Sequence, residues 1–214
     1  MKFIQKKPQP EPFKRYKRKK GSSFKELSNN FKVKTYIRKS LLEEQGYICC
    51  YCGQEIKLDS SVVEHIKSRD IYPNLQLEYN NMVCSCNGGK DKRANNPQCP
   101  LYCDANKKSR EIYVNPLEEE CERKFEFDED GNIYGLDIGA DTTIEVLNLN
   151  NPKLKNLRKS AIAYYTCQND DDIDWAEELE KIKKRDTNGK FLPFCFVIRN
   201  YIEIFRLPYD LSIE

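Results

Sequence analysis

Histidine is almost missing from this sequence: one imidazole, His65, serves all 214 residues, beside a single tryptophan and two methionines. Any proton transfer that needs an imidazole falls to His65 or to nothing. Long apolar runs are missing as well, since no stretch approaches the ~18–20 residues that cross a bilayer. The opening Met1-Lys2-Phe3-Ile4-Gln5-Lys6-Lys7 turns to proline and more base without the apolar stretch of an export signal. These absences predict a cytoplasmic protein with no membrane partner. With 39% hydrophobic residues the chain is not disordered throughout. Its length suits one core, or a small core with an accessory region.

Cysteine, by contrast, is abundant, with ten in the chain and seven of them between Cys49 and Cys103. Without an export signal, clustered reduced thiols point to metal rather than to a disulfide framework. Cys121, Cys167 and Cys195 lie outside the cluster and read as buried apolar residues. The net charge of +2 hides an asymmetry: residues 1–40 hold 14 Lys/Arg against two Glu, so the remainder carries 22 basic and 32 acidic side chains. A basic arm on an acidic body suits contact with a polyanion, because each neutralised phosphate releases condensed counterions. A solvated tail is the plainer alternative. Phe3, Phe13 and Tyr16 interleave the bases and favour nucleic acid.

Residues 1–23, rich in Pro, Lys and Arg and ending in Gly21-Ser22-Ser23, read as a flexible arm. From Phe24 to Gln45 apolar residues recur at helical spacing until Gly46 stops the helix. Short extended segments are expected near Ile56–Leu58 and Val62–Ile66, and a short helix from Asp104. Residues 124–134, with Asp128-Glu129-Asp130-Gly131 as the turn, read as a hairpin. After Thr143–Leu147 the chain should become helical: one helix opening at Asn151-Pro152, an acidic one from about Asp172 to Arg185, and an apolar one from about Leu192 to Phe205.

Two cysteines in a CxxC can reach one tetrahedral Zn²⁺, and Cys49 and Cys52 form such a pair, with Cys50 pointing elsewhere. The second pair is open among Cys84, Cys86, Cys99 and Cys103. Between the clusters stand Glu64-His65 and then Asn81. In this order the residues resemble the HNH endonucleases, whose shared element is a ββα-metal finger. Cys49-Cys50-Tyr51-Cys52 and Glu64-His65 match its first two elements. Asn81-Met82-Val83-Cys84-Ser85-Cys86 matches the third and Cys103-Asp104-Ala105-Asn106-Lys107 the fourth. The departure is an insertion at 87–102, which leaves Cys99 competing with Cys103. That insertion, Asn87-Gly88-Gly89, Leu41–Gly46, Tyr72-Pro73, Leu77–Asn81, Asp130–Ile133 and Leu147–Asn150 resemble a narrower group, the HNH nucleases of Septu-type and retron-associated antiphage systems.

The resemblance implies an α+β fold: a ββα-metal finger with structural zinc, flanked by the basic arm and helix and by a mainly helical C-terminal region. The expected divisions are 1–23, a nuclease domain 24–115, and a hairpin-plus-helical accessory region 116–214 that would either dock the partner or simply pack against the finger. It implies a phosphodiester hydrolase in which His65 is the general base, since an imidazole with a pKa of about 6.5 can take a proton from water at neutral pH. Asn81 would position the loop and the imidazole; capping a turn is its plainer role. Glu64 and Asp104 would hold Mg²⁺ or a similar ion, although Asp104 also suits a helix N-cap. Cys49, Cys52, Cys86 and Cys103 would hold Zn²⁺. Lys107, with Lys108 and Arg110, would contact phosphate. Lys90, beside Lys92 and Arg93 in the insertion, is either another phosphate contact or solvated surface. The implied partners are nucleic acid, an ABC-type ATPase and a retron reverse transcriptase complex. A non-catalytic zinc-finger module and a stand-alone nuclease toxin are the competing readings.

Overall fold

Phe13 and Tyr16 sit three residues apart, one helical turn, and that spacing decides what the N-terminal segment does. The computed structural model describes residues 1–168 and 173–207. In it, residues 1–23 are not a flexible arm. Met1, Ile4, Phe13 and Tyr16 are buried, and helix α1 (Glu11–Lys17) carries the last two on its inner face. The Ile4 amide donates to the Pro116 carbonyl at 2.9 Å, and the Lys6 ammonium reaches Glu44 at 2.7 Å and the Met82 carbonyl at 3.1 Å. A charge count registers the basic residues, most of which face solvent; the apolar residues between them and the inward ion pairs of Lys2 and Lys6 supply the packing.

The helix expected over 24–45 is two helices. Ser23 caps α2 (Phe24–Asn29), and Asn30 breaks the run by turning out of helical geometry and capping α3 (Phe31–Glu44) through the Val33 amide. Gly46 ends α3 with φ of 58°, and a Cβ there would lie 2.4 Å from the Phe191 ring, so both conformation and contact require glycine.

Strands β1 (Ser61–His65) and β2 (Met82–Cys86) form an antiparallel pair in which Ser61 faces Cys86, Glu64 faces Val83 and His65 faces Met82. Ile56–Leu58 is not a strand; extended pairing there is limited to the single bridge between Ile48 and Glu55. The insertion carries the short helix α4 (Lys90–Asn95). One turn, α5 (Asp104–Lys107), follows, flanked by Cys103 and Lys108 with φ of 51° and 54°. The Cys103 amide donates to the Leu147 carbonyl at 2.8 Å and ties α5 to the helix behind it.

The second hairpin, β3 (Phe125–Phe127) with β4 (Ile133–Gly135), forms where the sequence places it. Helix α6 (Ile138–Leu147) starts earlier than the sequence suggests, because Asp137 caps it through the Ala140 amide. Asn151 caps α7 (Pro152–Thr166). Asp174 caps α8 (Trp175–Lys183), while Asp172, the expected start, lies outside the described residues. Helix α9 (Cys195–Phe205) begins after Phe194, whose left-handed φ of 60° rules out a start at Leu192. Phe191 and Phe194 donate their amides to the Gly46 and Gly53 carbonyls, so the C-terminal region packs directly on the cysteine knuckle. Cys121 and Cys195 are buried, but Cys167, expected to be, is exposed at the end of α7. Among the described residues the architecture is mixed α+β with two small antiparallel sheets.

Candidate metal centre and active site

The Sγ atoms of Cys49, Cys52, Cys86 and Cys103 all lie within 4.8 Å of one another, and all four residues are buried. They come from the knuckle after α3, the end of β2 and the residue before α5. Thiolates ~2.3 Å from a tetrahedral Zn²⁺ lie about 3.8 Å apart, and Cys49 to Cys103 measures 4.0 Å, so the donor set fits that ion. The Cys86 amide points at the Cys49 sulfur at 3.3 Å, a contact that favours a thiolate. Cys99 is partly exposed and outside this group, and the Cys84 sulfur lies against the Arg38 carbonyl at 3.8 Å.

His65 ends β1, buried to 4% exposure. Its Nε2 lies 3.0 Å from the Gln76 carbonyl. A carbonyl can only accept, so Nε2 carries the proton and Nδ1 of the neutral ring keeps its lone pair. Burial pushes the imidazole pKa down to about 4 against the pull of the Gln76 carbonyl, with Arg69 and Lys107 adding to the depression, so the ring is neutral at physiological pH. The Phe24 ring stands edge-on to it at 4.6 Å. Asn81 accepts from the Lys67 amide at 2.8 Å and donates to the Lys67 and Leu75 carbonyls at 3.0 and 3.3 Å. It thereby clasps both ends of the loop that presents Gln76. The Gln76 side chain in turn accepts from the Phe24 amide at 3.0 Å, fixing α2 to the same loop.

Glu64 is buried beside His65. Tyr51 donates to its Oε1 at 2.9 Å, and Lys107 sits 2.9 Å from that same oxygen, so neither contact consumes the other oxygen of the carboxylate. Burial pushes Glu64 up to about 7 against the attraction of Lys107, and Asp104, close enough to share a hydrogen bond, pushes it the same way. Two neighbouring carboxylates are hard oxygen donors and fit a divalent ion such as Mg²⁺. Asp104 is the first residue of α5 and not its N-cap, which is Cys103. It pairs with Lys90 at 3.0 Å.

Glu64, His65 and Asp104 share the wall of one cleft of 430 Å³ with Arg69, Lys90 and Lys108. Two cations assigned to phosphate from sequence do not face it. Lys107 is 1% exposed and spends its ammonium on Glu64 and on the His65 carbonyl at 2.9 Å, because the single turn of α5 directs it inward. Arg110 folds back to the Asn106 and Val146 carbonyls at 2.5 and 2.9 Å and closes the end of α5. Gln76, Tyr51, Phe24 and Arg69 are parts of the site that sequence reasoning missed. Gln76 acts through a main-chain carbonyl, which leaves no mark in the sequence.

A hairpin bearing an adjacent acid and histidine, with four thiols gathered at its far end and a polar cleft at its near one, defines the class: a mixed α+β protein with a four-cysteine knuckle beneath an acid–histidine site. No protein-family model matches the chain. It is 32% identical over 140 residues to the protein named "Retron Vc95 putative HNH endonuclease" of Vibrio cholerae, covering 61% of this chain and 65% of that protein. It is 29% identical over 132 residues to the Septu protein PtuB of Bacillus thuringiensis, covering 59% of this chain and 46% of that protein. Both matches span less than two thirds of the relative. The chain is thus similar to a retron protein named as a putative HNH endonuclease and to a Septu protein.

Proposed function

We propose that the protein is a metal-dependent HNH endonuclease that hydrolyses phosphodiester bonds of nucleic acid. The observation that carries this reading is the His65 ring: neutral, held by Nε2 on the Gln76 carbonyl, and set in a cleft beside two carboxylates. The β1–β2–α5 unit is read as the ββα-metal finger, interrupted by the insertion that carries α4, within a nuclease unit spanning 24–115. The region after residue 116 is read as the surface that docks a partner. The relatives' names supply the context, a Septu or retron antiphage system, in which the partner would be an ABC-type ATPase in the cytoplasm.

In this mechanism Nδ1 of His65 takes a proton from the attacking water, while Nε2 keeps its own on Gln76. Asn81 acts by position, holding the loop that holds the ring. Glu64 and Asp104 would hold the divalent ion, which when bound neutralises charge on the scissile phosphate and stabilises the departing oxygen. Lys107 pulls against the burial that raises the Glu64 pKa to about 7 and so favours its ionised, ion-binding form. Lys90, whose side chain is 53% exposed, pairs with Asp104 at the edge of the cleft and could contact a phosphate there. Cys49, Cys52, Cys86 and Cys103 take no part in the chemistry; a zinc ion there would fix the hairpin to α5.

The test compares the parent protein with His65→Ala at equal zinc content, measuring Mg²⁺-dependent cleavage of DNA and RNA with and without a co-purified ATPase. Loss of about 100-fold or more of the cleavage rate in the variant is the expected result. Equal rates remove His65 from the mechanism. No cleavage by the parent under any of these conditions favours the zinc-binding module.

A further inference from the structure

The cations on the cleft wall are not equivalent. Lys90 is paired with Asp104. Asp70, beside Arg69 in sequence, accepts from the Ser109 hydroxyl. Among the described residues the Arg69 guanidinium and the Lys108 ammonium make no hydrogen bond or ion pair, although both line the cleft. Arg69 is nonetheless oriented: its guanidinium carbon lies 4.5 Å from the centre of the Phe24 ring, which stands nearly perpendicular to the His65 ring. One aromatic ring thus sets both the unpaired arginine and the proposed base. Lys108 is held at φ of 54° and ψ of −122°, a conformation that side-chain-bearing residues rarely adopt.

We infer that Arg69 and Lys108 form an anion seat at the mouth of the cleft, which takes the non-bridging oxygens of a phosphodiester. The guanidinium supplies two parallel donors to one phosphate, a geometry lysine does not reproduce. Lys108, on the turn that ends α5, supplies a point charge from the element that begins with Asp104. The seat rests on the nuclease reading and adds to it the residues that hold the substrate's backbone. It selects for the diester and not for bases or sugar.

Binding is measured in a His65→Ala background by fluorescence anisotropy of a fluorescein-labelled DNA duplex across a salt series. Turnover is measured in the His65-intact protein with Mg²⁺ and bis(4-nitrophenyl) phosphate. Arg69→Ala is expected to weaken binding about tenfold and to lower the slope of log affinity against log salt by about one, because one phosphate contact is lost. Its turnover is expected to fall about 100-fold. Arg69→Lys restores the salt slope but not the turnover, and Lys108→Ala lowers the slope again. Lys181→Ala, on α8 and outside the cleft, changes neither. Zinc content and circular dichroism confirm that each variant is folded. Arg69→Ala matching an active parent in affinity, slope and turnover overturns the seat while leaving the nuclease reading intact. A parent that neither binds the duplex nor turns over the diester overturns both.

Discussion

Lys107 and Arg158 are the two most deeply buried cations, exposed to 1% and 2%, and they are satisfied in opposite ways. Arg158, on α7, spends its donors on neutral oxygens: the Gly131 carbonyl at 2.7 Å, the Leu149 carbonyl at 2.9 Å and the Asn150 side chain at 3.3 Å. Burial lowers its pKa to about 10, so it stays charged at neutral pH without a carboxylate against it. It pins the β3–β4 turn to the α6–α7 connection and is not among the residues that line the cleft. Lys107 instead meets a carboxylate on the cleft wall. A buried cation on neutral acceptors holds architecture together. One on an acid beside a cavity leaves a charge balance that an incoming ion or substrate alters. The helical region is built to stay as it is, and the hairpin region to be completed by what it binds.

The largest expected effect tests what braces the hairpin region. A short knuckle and a four-residue helix bury little of their own, so a structural zinc would contribute on the order of 10 kcal/mol. Cys52→Ser, or a strong zinc chelator, is expected to abolish cooperative thermal unfolding of the hairpin region, with one zinc per chain lost by elemental analysis. Cys99→Ser should keep the full zinc content. Equal zinc in the parent and in Cys52→Ser would remove the tetrathiolate site.

Next come the two cations. Lys107→Met leaves Glu64 buried without its counter-charge, and removing one partner of such a pair costs about 3–5 kcal/mol. The double variant Lys107→Met/Glu64→Gln should recover much of that in urea titrations, while cleavage is lost in both. Arg158→Met strands two main-chain carbonyls and is expected to cost about 2–3 kcal/mol. Its zinc content and its cleavage rate per folded molecule should match the parent's. If Arg158→Met loses cleavage while keeping its fold, the division between architectural and site-forming cations fails.

What was legible in the sequence follows the same division. Glu64-His65 and the CxxC are local, and nearest-neighbour spacing is what a sequence displays directly. Sixteen residues separate Cys103 from Cys86, and its place depends on a positive φ and a bond to the Leu147 carbonyl at the end of another helix. The inward turn of Lys107 depends on the direction of a single helical turn, and the His65 partner on a main-chain carbonyl. Neither leaves a side-chain signature. The N-terminal segment was misread because its charges are counted easily, whereas Phe13 and Tyr16 count only once their shared helix face is known. The fold was legible where capping residues stand beside apolar periodicity, as at Asn151. It was not where one residue such as Asn30 interrupts an otherwise continuous pattern.

The smallest effect concerns the segment that spans the two regions. Lys6 fastens it to Glu44 and Met82 on the hairpin side. Lys2 and the Phe3 amide fasten it to Glu122 at 2.6 and 2.8 Å on the helical side, where Arg199 of α9 also pairs with Glu122. Burial raises the Glu122 pKa, but these donors outweigh it and hold the carboxylate below the ordinary glutamate range. A carboxylate depressed in the fold binds protons less readily there than in the unfolded chain. Its stabilisation is therefore complete above the ordinary glutamate pKa and disappears as the pH falls through the lower folded value. Glu122→Gln keeps an acceptor but loses the charge. It should cost about 1 kcal/mol at neutral pH, roughly 3 °C in Tm for a chain of this size, and flatten stability against pH in the acid range. Because Lys6 remains fastened to Glu44, the cleft should be undisturbed and cleavage unchanged. A variant that lost cleavage with its Tm would mean that the segment transmits the state of the helical region to the hairpin, and the two regions would then be one device.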